Sequence, residues 1–435
     1  MNKEAANVES RMQTSNSGFD FRYAIWTVFS LTILSGLFLM VYYIPQFGQA
    51  FSSVERLNEQ VPFGWMIRRI HGAGGNILLI LLLLHLLQIF YLGDYKASRP
   101  AAWMIGILAL ICTVWVNFSG FFLPLSQSSF WGTATVLSSL SALPWAGSFV
   151  VDFIRGGKEL GGAALLRFYS MHVGFSAMIA FLLLWRHRVE SAGELNVKTD
   201  RQRSPGILIA SIFVGLLLAA ITFAPDWFTD SLKETANPLA NPERIFLPWY
   251  FLFLEETLKF LVGAYPFWSM AAIVIFSLSI FFLPFIDRNP ERTLLLRPFP
   301  MGLGAAFLVL VVYFSLLGAA NARYGEKIII LDRPLSTFEI RGAKVYAEKN
   351  CAYCHQVFGQ EGRREGPDMA VIKERRRSPE WVKRFTLNAR LFQPGTTMPR
   401  YEIPIDDLEA LAAYLLSLDS SKERFKAVER KQFMD

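Results

Sequence analysis

Residues 70–91 read IHGAGGNILLILLLLHLLQIFY. The run is apolar almost throughout and carries His71 near one end and His85 near the other. At about 1.5 Å per residue it can cross roughly 30 Å of hydrocarbon as a helix. The step from 71 to 85 is about 3.9 helical turns and about 21 Å. Both imidazoles therefore fall on nearly one face, one toward each membrane surface. A second run, Leu165–Trp185 and the residues after it, carries His172 and His187 in the same way. Two such helices side by side offer two stacked sites, His71 with His172 and His85 with His187, each able to clamp a haem iron from both sides. A lone histidine in an apolar span is more often hydrogen-bonded to a neighbouring helix. Four of them, paired in two spans at nearly equal spacing, point instead to ligation, because ionisable groups inside a membrane are costly and tend to be functional.

Composition agrees with a membrane protein. The chain has 435 residues, 53% of them hydrophobic, with 38 Phe and a mean hydropathy of +0.32. A soluble chain rarely carries that much Phe. Further spans are expected at Ile25–Ile44, Trp103–Leu123, Ile207–Phe223, Trp268–Phe285 and Met301–Leu317, giving an all-α bundle of seven transmembrane helices. The net charge of +7 does not indicate nucleic acid, because the cations cluster between spans. Lys96 and Arg99 follow span two, Arg186 to Arg203 follow span four, and Arg288, Arg292 and Arg297 follow span six. With seven spans these fall on the side of the N-terminus, which the positive-inside rule makes cytoplasmic. The C-terminal segment then lies outside the cytoplasmic membrane of a bacterial cell. Residues 1–22 are polar and the first span lacks a convincing cleavage site, so no cleavable signal peptide is expected.

The C-terminal segment has a different composition. Cys351-Ala352-Tyr353-Cys354-His355 is the attachment signature of a covalent c haem, with two thioethers and His355 as proximal ligand. A zinc half-site would need a second Cys/His pair, and the remaining Cys112 lies alone in span three, where a small buried apolar role suits it. Met398, in Thr397-Met398-Pro399, is the expected distal ligand, with Met369 as the alternative; a thioether opposite histidine raises the haem potential. The expected division is 1–204 and 205–320 for the two parts of the membrane bundle, 321–337 for a linker, 338–420 for a small all-α domain of class I cytochrome c type, and 421–435 for a charged tail. Gly106 and Gly120 in span three repeat the 14-residue interval of the histidines. Glycine there leaves room for a flat macrocycle, although glycine in a membrane span also serves helix packing.

Residues 42–189 resemble the cytochrome b of quinol–cytochrome c reductases, and most the plastid and cyanobacterial branch. The resemblance rests on YYIP (42–45), FGWMIRRIH (63–71), SGFFLPLSQSSFW (119–131), LRFYSMH (166–172) and the fourteen residues between His172 and His187. Residues 206–320 resemble subunit IV of that branch. The resemblance implies two b haems, quinol oxidation on the outer face, a Rieske iron–sulfur protein as partner, a homodimeric complex and, in the C-terminal domain, a Pro367 carbonyl that orients the His355 ring. Two departures stand out. The branch's extra covalent haem needs a cysteine near position 20, where this chain has Asp20, so that haem is not expected. Arg22 lies 14 residues before Gly36, where the family places a glycine.

A third departure touches the quinol site. Family members carry Pro-Glu-Trp-Tyr, whose carboxylate accepts a quinol proton. Here the corresponding residues read Leu247-Pro248-Trp249-Tyr250, with proline in place of the acid. Trp249 and Tyr250 remain candidate site residues. Asp226, in Pro225-Asp226-Trp227-Phe228, and Glu243 are nearby acids, and Glu255 and Glu256 follow on the same helix. The bland reading of the last two is the solvated face of a surface helix. Three functions compete. In the first, the chain is the catalytic subunit of a bc-type quinol oxidoreductase, passing electrons through two b haems and a c haem to a soluble or membrane-bound acceptor. In the second, it is a conduit between the quinone pool and another redox enzyme. The third, a mere membrane anchor for a c-type cytochrome, leaves the four span histidines unexplained.

Overall fold

The computed structural model describes residues 21–96, 100–141, 146–157, 159–191, 203–223, 232–240, 245, 247–262, 266–292, 296–320, 325–362, 366–393, 396–418 and 425–433. Five of its helices are long and apolar enough to cross a membrane: α1 (Arg22–Tyr42), α3 (Gly64–Leu92), α4 (Pro100–Phe122), α7 (Gly162–Ser191) and α12 (Pro298–Ala320). Two more, α8 (Arg203–Phe223) and α10 (Pro266–Phe281), carry shorter apolar stretches, Leu208–Ile221 and Ala271–Phe281. The expected sixth span is interrupted. Its helix stops at Phe281, and a separate turn, α11 (Leu283–Ile286), begins with Pro284 in its first positions. Proline has no N–H to continue the ladder and fits only a first turn.

The spans associate through apolar faces. α1 packs on α3, and α4 makes its most extensive contact with α7. Their inner faces form one core that includes Ile25, Phe29, Ile77, Leu81, Ile105, Ala109, Ile179 and Leu183. Many of the remaining large apolar side chains are exposed, among them Leu34, Val41, Ile111, Phe181, Leu216 and Val309. That pattern suits lipid on the outside, where a helix satisfies its interior backbone polar groups within itself. Short helices α2 (Ala50–Gln60), α5 (Gln127–Ser141) and α6 (Gly147–Arg155) lie between spans, and α9 (Trp249–Val262) precedes α10.

The two parts of the bundle are joined at one end by an ionic cluster. Tyr95 donates to Asp287 at 2.5 Å, and Lys96 to the same carboxylate at 2.9 Å. Arg297, nearly fully buried, donates to Tyr95 Oη at 2.6 Å and lies 3.6 Å from Asp287. Burial pushes the Asp287 carboxyl up, but its hydrogen bonds from Tyr95 and Lys96 and the two cations outweigh this and hold it below its ordinary value. Lys96 also caps the carbonyls of Asn289 and Glu291, so the loop after α11 is held on the end of α3.

The C-terminal domain is helical with one exception. α13 (Thr337–Glu348) starts at a capping box, Ser336 with Glu339, and packs on α16 (Ile405–Ser417). They cross closely at Gly342, where a Cβ would lie 2.1 Å from the Ala410 carbonyl oxygen. α14 (Val371–Glu374) and α15 (Pro379–Leu387) complete it, the latter capped by Ser378. The all-α expectation is corrected by a two-stranded antiparallel sheet, β1 (Lys327–Leu331) with β2 (Phe425–Glu429). The expected linker thus contributes a strand whose Ile328, Ile329 and Leu331 are fully buried, and part of the charged tail pairs with it. Tyr414 of α16 donates to the Ile329 carbonyl at 2.7 Å and ties the sheet to the helices.

Candidate functional site

The structure brings His71 and His172 together. α3 and α7 present them to one another with ring centroids 6.0 Å apart. Two imidazoles bound at about 2.0–2.1 Å on opposite sides of one ion have centroids roughly 6 Å apart, so the spacing suits a shared iron. Their other nitrogens are matched. His71 Nδ1 lies 2.9 Å from the Thr32 carbonyl and 3.3 Å from Ser35 Oγ. His172 Nδ1 lies 2.9 Å from the Val116 carbonyl and 3.2 Å from Ser119 Oγ. A carbonyl can only accept, so Nδ1 carries the proton and Nε2 keeps its lone pair. That is the tautomer a metal-bound histidine needs.

A glycine follows each serine. A Cβ at Gly36 would stand 2.8 Å from His71 Cε1, and one at Gly120 would stand 2.8 Å from His172 Cε1. Span one and span three therefore each bring a Ser-Gly pair onto one imidazole. This two-fold arrangement was only half visible in the sequence, where Gly120 stood out and Gly36 served only as a reference for Arg22.

His85 and His187 lie at the other end of the bundle and line one pocket with Arg22, Trp26, Leu82 and Arg186. Arg186, 4% exposed, donates to His85 Nε2 at 2.9 Å. Gly106 faces the same arginine, and its Cβ would meet Arg186 Nη1 at 2.8 Å and Leu86 at 2.9 Å. So Gly106 gives clearance to a guanidinium, where Gly120 gives it to an imidazole. The sequence offered Arg186 only as one of a cluster of surface cations.

In the C-terminal domain, a 3₁₀ turn, Cys351–Tyr353, leads into Cys354 and His355. The His355 N–H donates to the Cys351 carbonyl at 3.0 Å, which keeps the motif in one compact turn. His355 Nδ1 lies 2.8 Å from the Pro367 carbonyl, again leaving Nε2 available to a metal. Gly366 backs the ring so closely that a Cβ would come within 2.1 Å of it. Burial pushes the Cys351 thiol up to about 12. Met369 is buried in the domain core, whereas Met398 is half-buried, its N–H on Thr396 Oγ1 at 3.2 Å. Among the described residues no three His, Cys, Asp or Glu converge as a metal site. The bis-histidine pairs and this turn thus fit two kinds of haem site, non-covalent and thioether-linked.

The loops at the His71–His172 end meet the C-terminal domain. Residues 235–240 run against the junction of α4 and α5. The Gln127 N–H donates to the Glu234 carbonyl, the Ala236 N–H to Leu125, and the Gln127 side chain bridges Asn237 and Ala240. Leu247, Tyr250 and Phe251 then pack with Phe118, Phe122 and Phe168 in one aromatic cluster, to which Tyr353 and Cys354 of the attachment motif also belong. The Ile245 N–H donates to Tyr353 Oη at 2.6 Å, and Arg390 pairs with Glu159 at 3.1 Å.

Pro248 immediately precedes α9, its carbonyl accepting from Phe251 N–H at 2.9 Å. Trp249 Nε1 donates to Asn76 Oδ1 of α3 at 2.8 Å. Glu255 and Glu256 correct the reading of a solvated face. They are 6% and 2% exposed, and Lys259 lies 2.5 Å from the first and 3.3 Å from the second. Glu256 packs on Gly318 of α12, where a Cβ would be 3.1 Å from its Cγ. Asp226 and Glu243 lie outside the described residues.

Comparison with known proteins agrees with this architecture. Residues 9–189 match the family described as cytochrome b/b6/petB, residues 235–338 match cytochrome b (C-terminal)/b6/petD, and residues 340–419 match cytochrome c. A cytochrome b of Talaromyces marneffei is 30% identical over 323 residues, spanning 71% of this chain and 82% of the relative. A chain of a hyperthermophilic respiratory Complex III superposes with a TM-score of 0.63 at 23% identity, covering 73% of this chain and 90% of the other, a likeness of fold. Histidine pairs, attachment motif and these matches together show that the chain belongs to the cytochrome b family, in a bc-type form that carries a cytochrome c domain on the same polypeptide.

Proposed function

We propose that this chain is the catalytic subunit of a quinol oxidoreductase that takes electrons from quinol at the His71–His172 end of the bundle. The observation that carries the reading is the shared apolar cluster to which Leu247, Tyr250, Tyr353 and Cys354 all belong. The reading takes that cluster to join the quinol-binding motif to the loop that would carry the c haem. Two b haems and one c haem would supply one-electron chemistry, one at each histidine pair and one on Cys351 and Cys354 with His355 and Met398. His71 and His172 hold the outer site in a fixed tautomer, and His85 and His187 hold the inner one. The bundle is divided at about residue 205, and the cytochrome c domain occupies 338–420 on the outer, extracytoplasmic side. A Rieske iron–sulfur partner and a two-fold assembly follow from the family resemblance.

Quinol must release protons as it loses electrons. Pro248 has neither an acidic group nor an N–H, so it cannot take one. Glu255, Glu256 and Lys259 form a buried trio of net charge −1 when all are ionised. Either carboxylate of the trio offers an acceptor for a quinol proton. Trp249 and Tyr250 lie one to two turns before it on α9 and would orient the ring. The conduit reading is favoured by Pro248 alone, and it assigns the trio a purely structural role.

The test is haem analysis of the purified native complex. Two b haems to one c haem are expected, with His71→Ala and His85→Ala each removing one b haem. A second covalent haem, or a b haem lost in neither variant, overturns the assignment.

A further inference from the structure

On α9 one lysine reaches two carboxylates. Lys259 Nζ lies 2.5 Å from Glu255 and 3.3 Å from Glu256. The spacings are i,i+4 and i,i+3, so the three side chains share one face of the helix. That face is closed. The three side chains are at most 9% exposed, and α12 lies over Glu256 at Gly318. Three helices, α5, α10 and α12, pack on α9. The first two contain no titratable side chain, and α12 contains only Tyr313, which is exposed. At the first turn of α9, Trp249 meets Asn76 of α3 and Phe251 meets Phe118 of α4. The titratable groups nearest to those contacts along the two spans are His71 and Cys112. Tyr250 is the remaining titratable group of α9 itself.

Adjacent carboxylates in such surroundings oppose one another's ionisation, and burial opposes it further. A protonated carboxyl has no place for a quinol proton. The pair can serve as an acceptor near neutral pH only if something holds it ionised. A cation within about 4 Å does so, and here one cation serves both members. At that range, with an effective dielectric of about 20, it changes the proton affinity of a carboxylate by more than about tenfold. An ion pair that merely fastened α9 would need a single carboxylate, and an apolar side chain would pack as well at the second.

We propose that Lys259 is a positioning residue of the quinol site, which keeps the Glu255–Glu256 pair ionised inside the bundle and thereby sets the pH below which quinol-driven electron transfer stops. The inference rests on the reading of that pair as the proton acceptor. The step moves one proton: the O–H bond of a quinol hydroxyl breaks, and an O–H bond forms on one carboxylate. Lys259 gives and takes none. It stays paired with the carboxylate that remains ionised, so the acceptor is reset once the new proton has left for water.

The test is the pH profile of c-haem reduction in the purified native complex, with tetramethylhydroquinone as donor, from about pH 5 to about pH 9. The wild-type rate rises with pH to a plateau, and the midpoint of the rise reports the acceptor. Lys259→Gln moves that midpoint up by at least about one pH unit, so turnover below it falls at least about tenfold and recovers at the alkaline end. Lys259→Arg holds the wild-type midpoint, which a role in packing alone would not require. A second measurement needs no lysine variant. Of Glu255→Gln and Glu256→Gln, the faster enzyme has its midpoint moved down, because the remaining carboxylate loses a like-charged neighbour and keeps the cation. A wild-type midpoint in Lys259→Gln, or an equal loss of rate at every pH, overturns the inference. If that variant does not assemble, an unmoved or raised midpoint in the faster glutamine variant overturns it. Failure of the acceptor reading itself looks different, because the double glutamine variant then keeps the wild-type profile.

Discussion

Gly120→Ala probes the outer site with one methyl group. The added Cβ would stand 2.8 Å from His172 Cε1 and 3.2 Å from its Nδ1. Ordinary carbon contacts lie at about 3.5–4.0 Å, so the ring must retreat by roughly 0.7 Å. It has little freedom to do so. Its Nδ1 is held at 2.9 Å by the Val116 carbonyl, which lies on α4 with Gly120 itself. Behind it, α4 and α7 make the most extensive helix contact among the described residues. Metal–ligand distances tolerate about ±0.2 Å, less than the displacement required. The variant should therefore lose the outer b haem or hold it with one ligand. The pyridine haemochrome ratio falls from two b per c toward one b per c, and the remaining b component titrates as the inner one. Gly174→Ala is the control, since a Cβ there meets nothing within 4 Å, and it should keep both haems. Full b-haem content with an unaltered spectrum in Gly120→Ala refutes the claim that His172 and Gly120 border a haem.

Three further outcomes are expected. Glu255→Gln or Glu256→Gln slows quinol-driven reduction of the c haem at least about tenfold in one of the two; wild-type rates in both singles and the double variant exclude this proton route and favour the conduit. Glu339→Gln weakens the start of α13 and costs about 1–2 kcal/mol of domain stability in a chemical melt. Because the Arg333 guanidinium and the Ser336 cap hold the Glu339 carboxyl down at about 2, its contribution is complete above about 4.5 and vanishes as pH falls through about 2, so the wild-type and Gln melts should converge in acid. Finally, a protease added to intact cells should cut within 338–420, and cleavage only in inverted vesicles would reverse the assigned sidedness.

Much of the redox frame was legible in the sequence because its signals are local. Apolar runs mark the spans, the helical repeat puts His71 and His85 on one face, and the C-x-x-C-H motif lies within five residues. The signals that failed are those set by packing between distant segments. Glu255 and Glu256 look like solvent-facing acids until Gly318 of α12 lets that helix close over them. Lys327–Leu331 is strand-like by itself, but its partner begins almost a hundred residues later, in a stretch whose charges suggested a tail. Pro284 could have warned that the sixth span is broken, since a proline well inside an apolar run is a recognised helix interrupter. Arg186 was read as one more topogenic cation. Only its burial and its hydrogen bond to His85 across the bundle show that it turns inward.

The contact between Tyr353 and Ile245 has a kinetic consequence. A separate cytochrome would have to find this loop by diffusion, at a rate that falls with dilution and with salt. Here the searching domain is carried by the same polypeptide through α12, so its local concentration is set by chain length and does not change with dilution. Among the described residues the contact is mostly apolar and backbone-mediated, with one surface ion pair, Arg390 with Glu159. Exposed pairs of that kind contribute little and are screened by salt. Reduction of the c haem within one molecule should thus be nearly independent of ionic strength, while its onward delivery to a diffusing acceptor remains a second-order event.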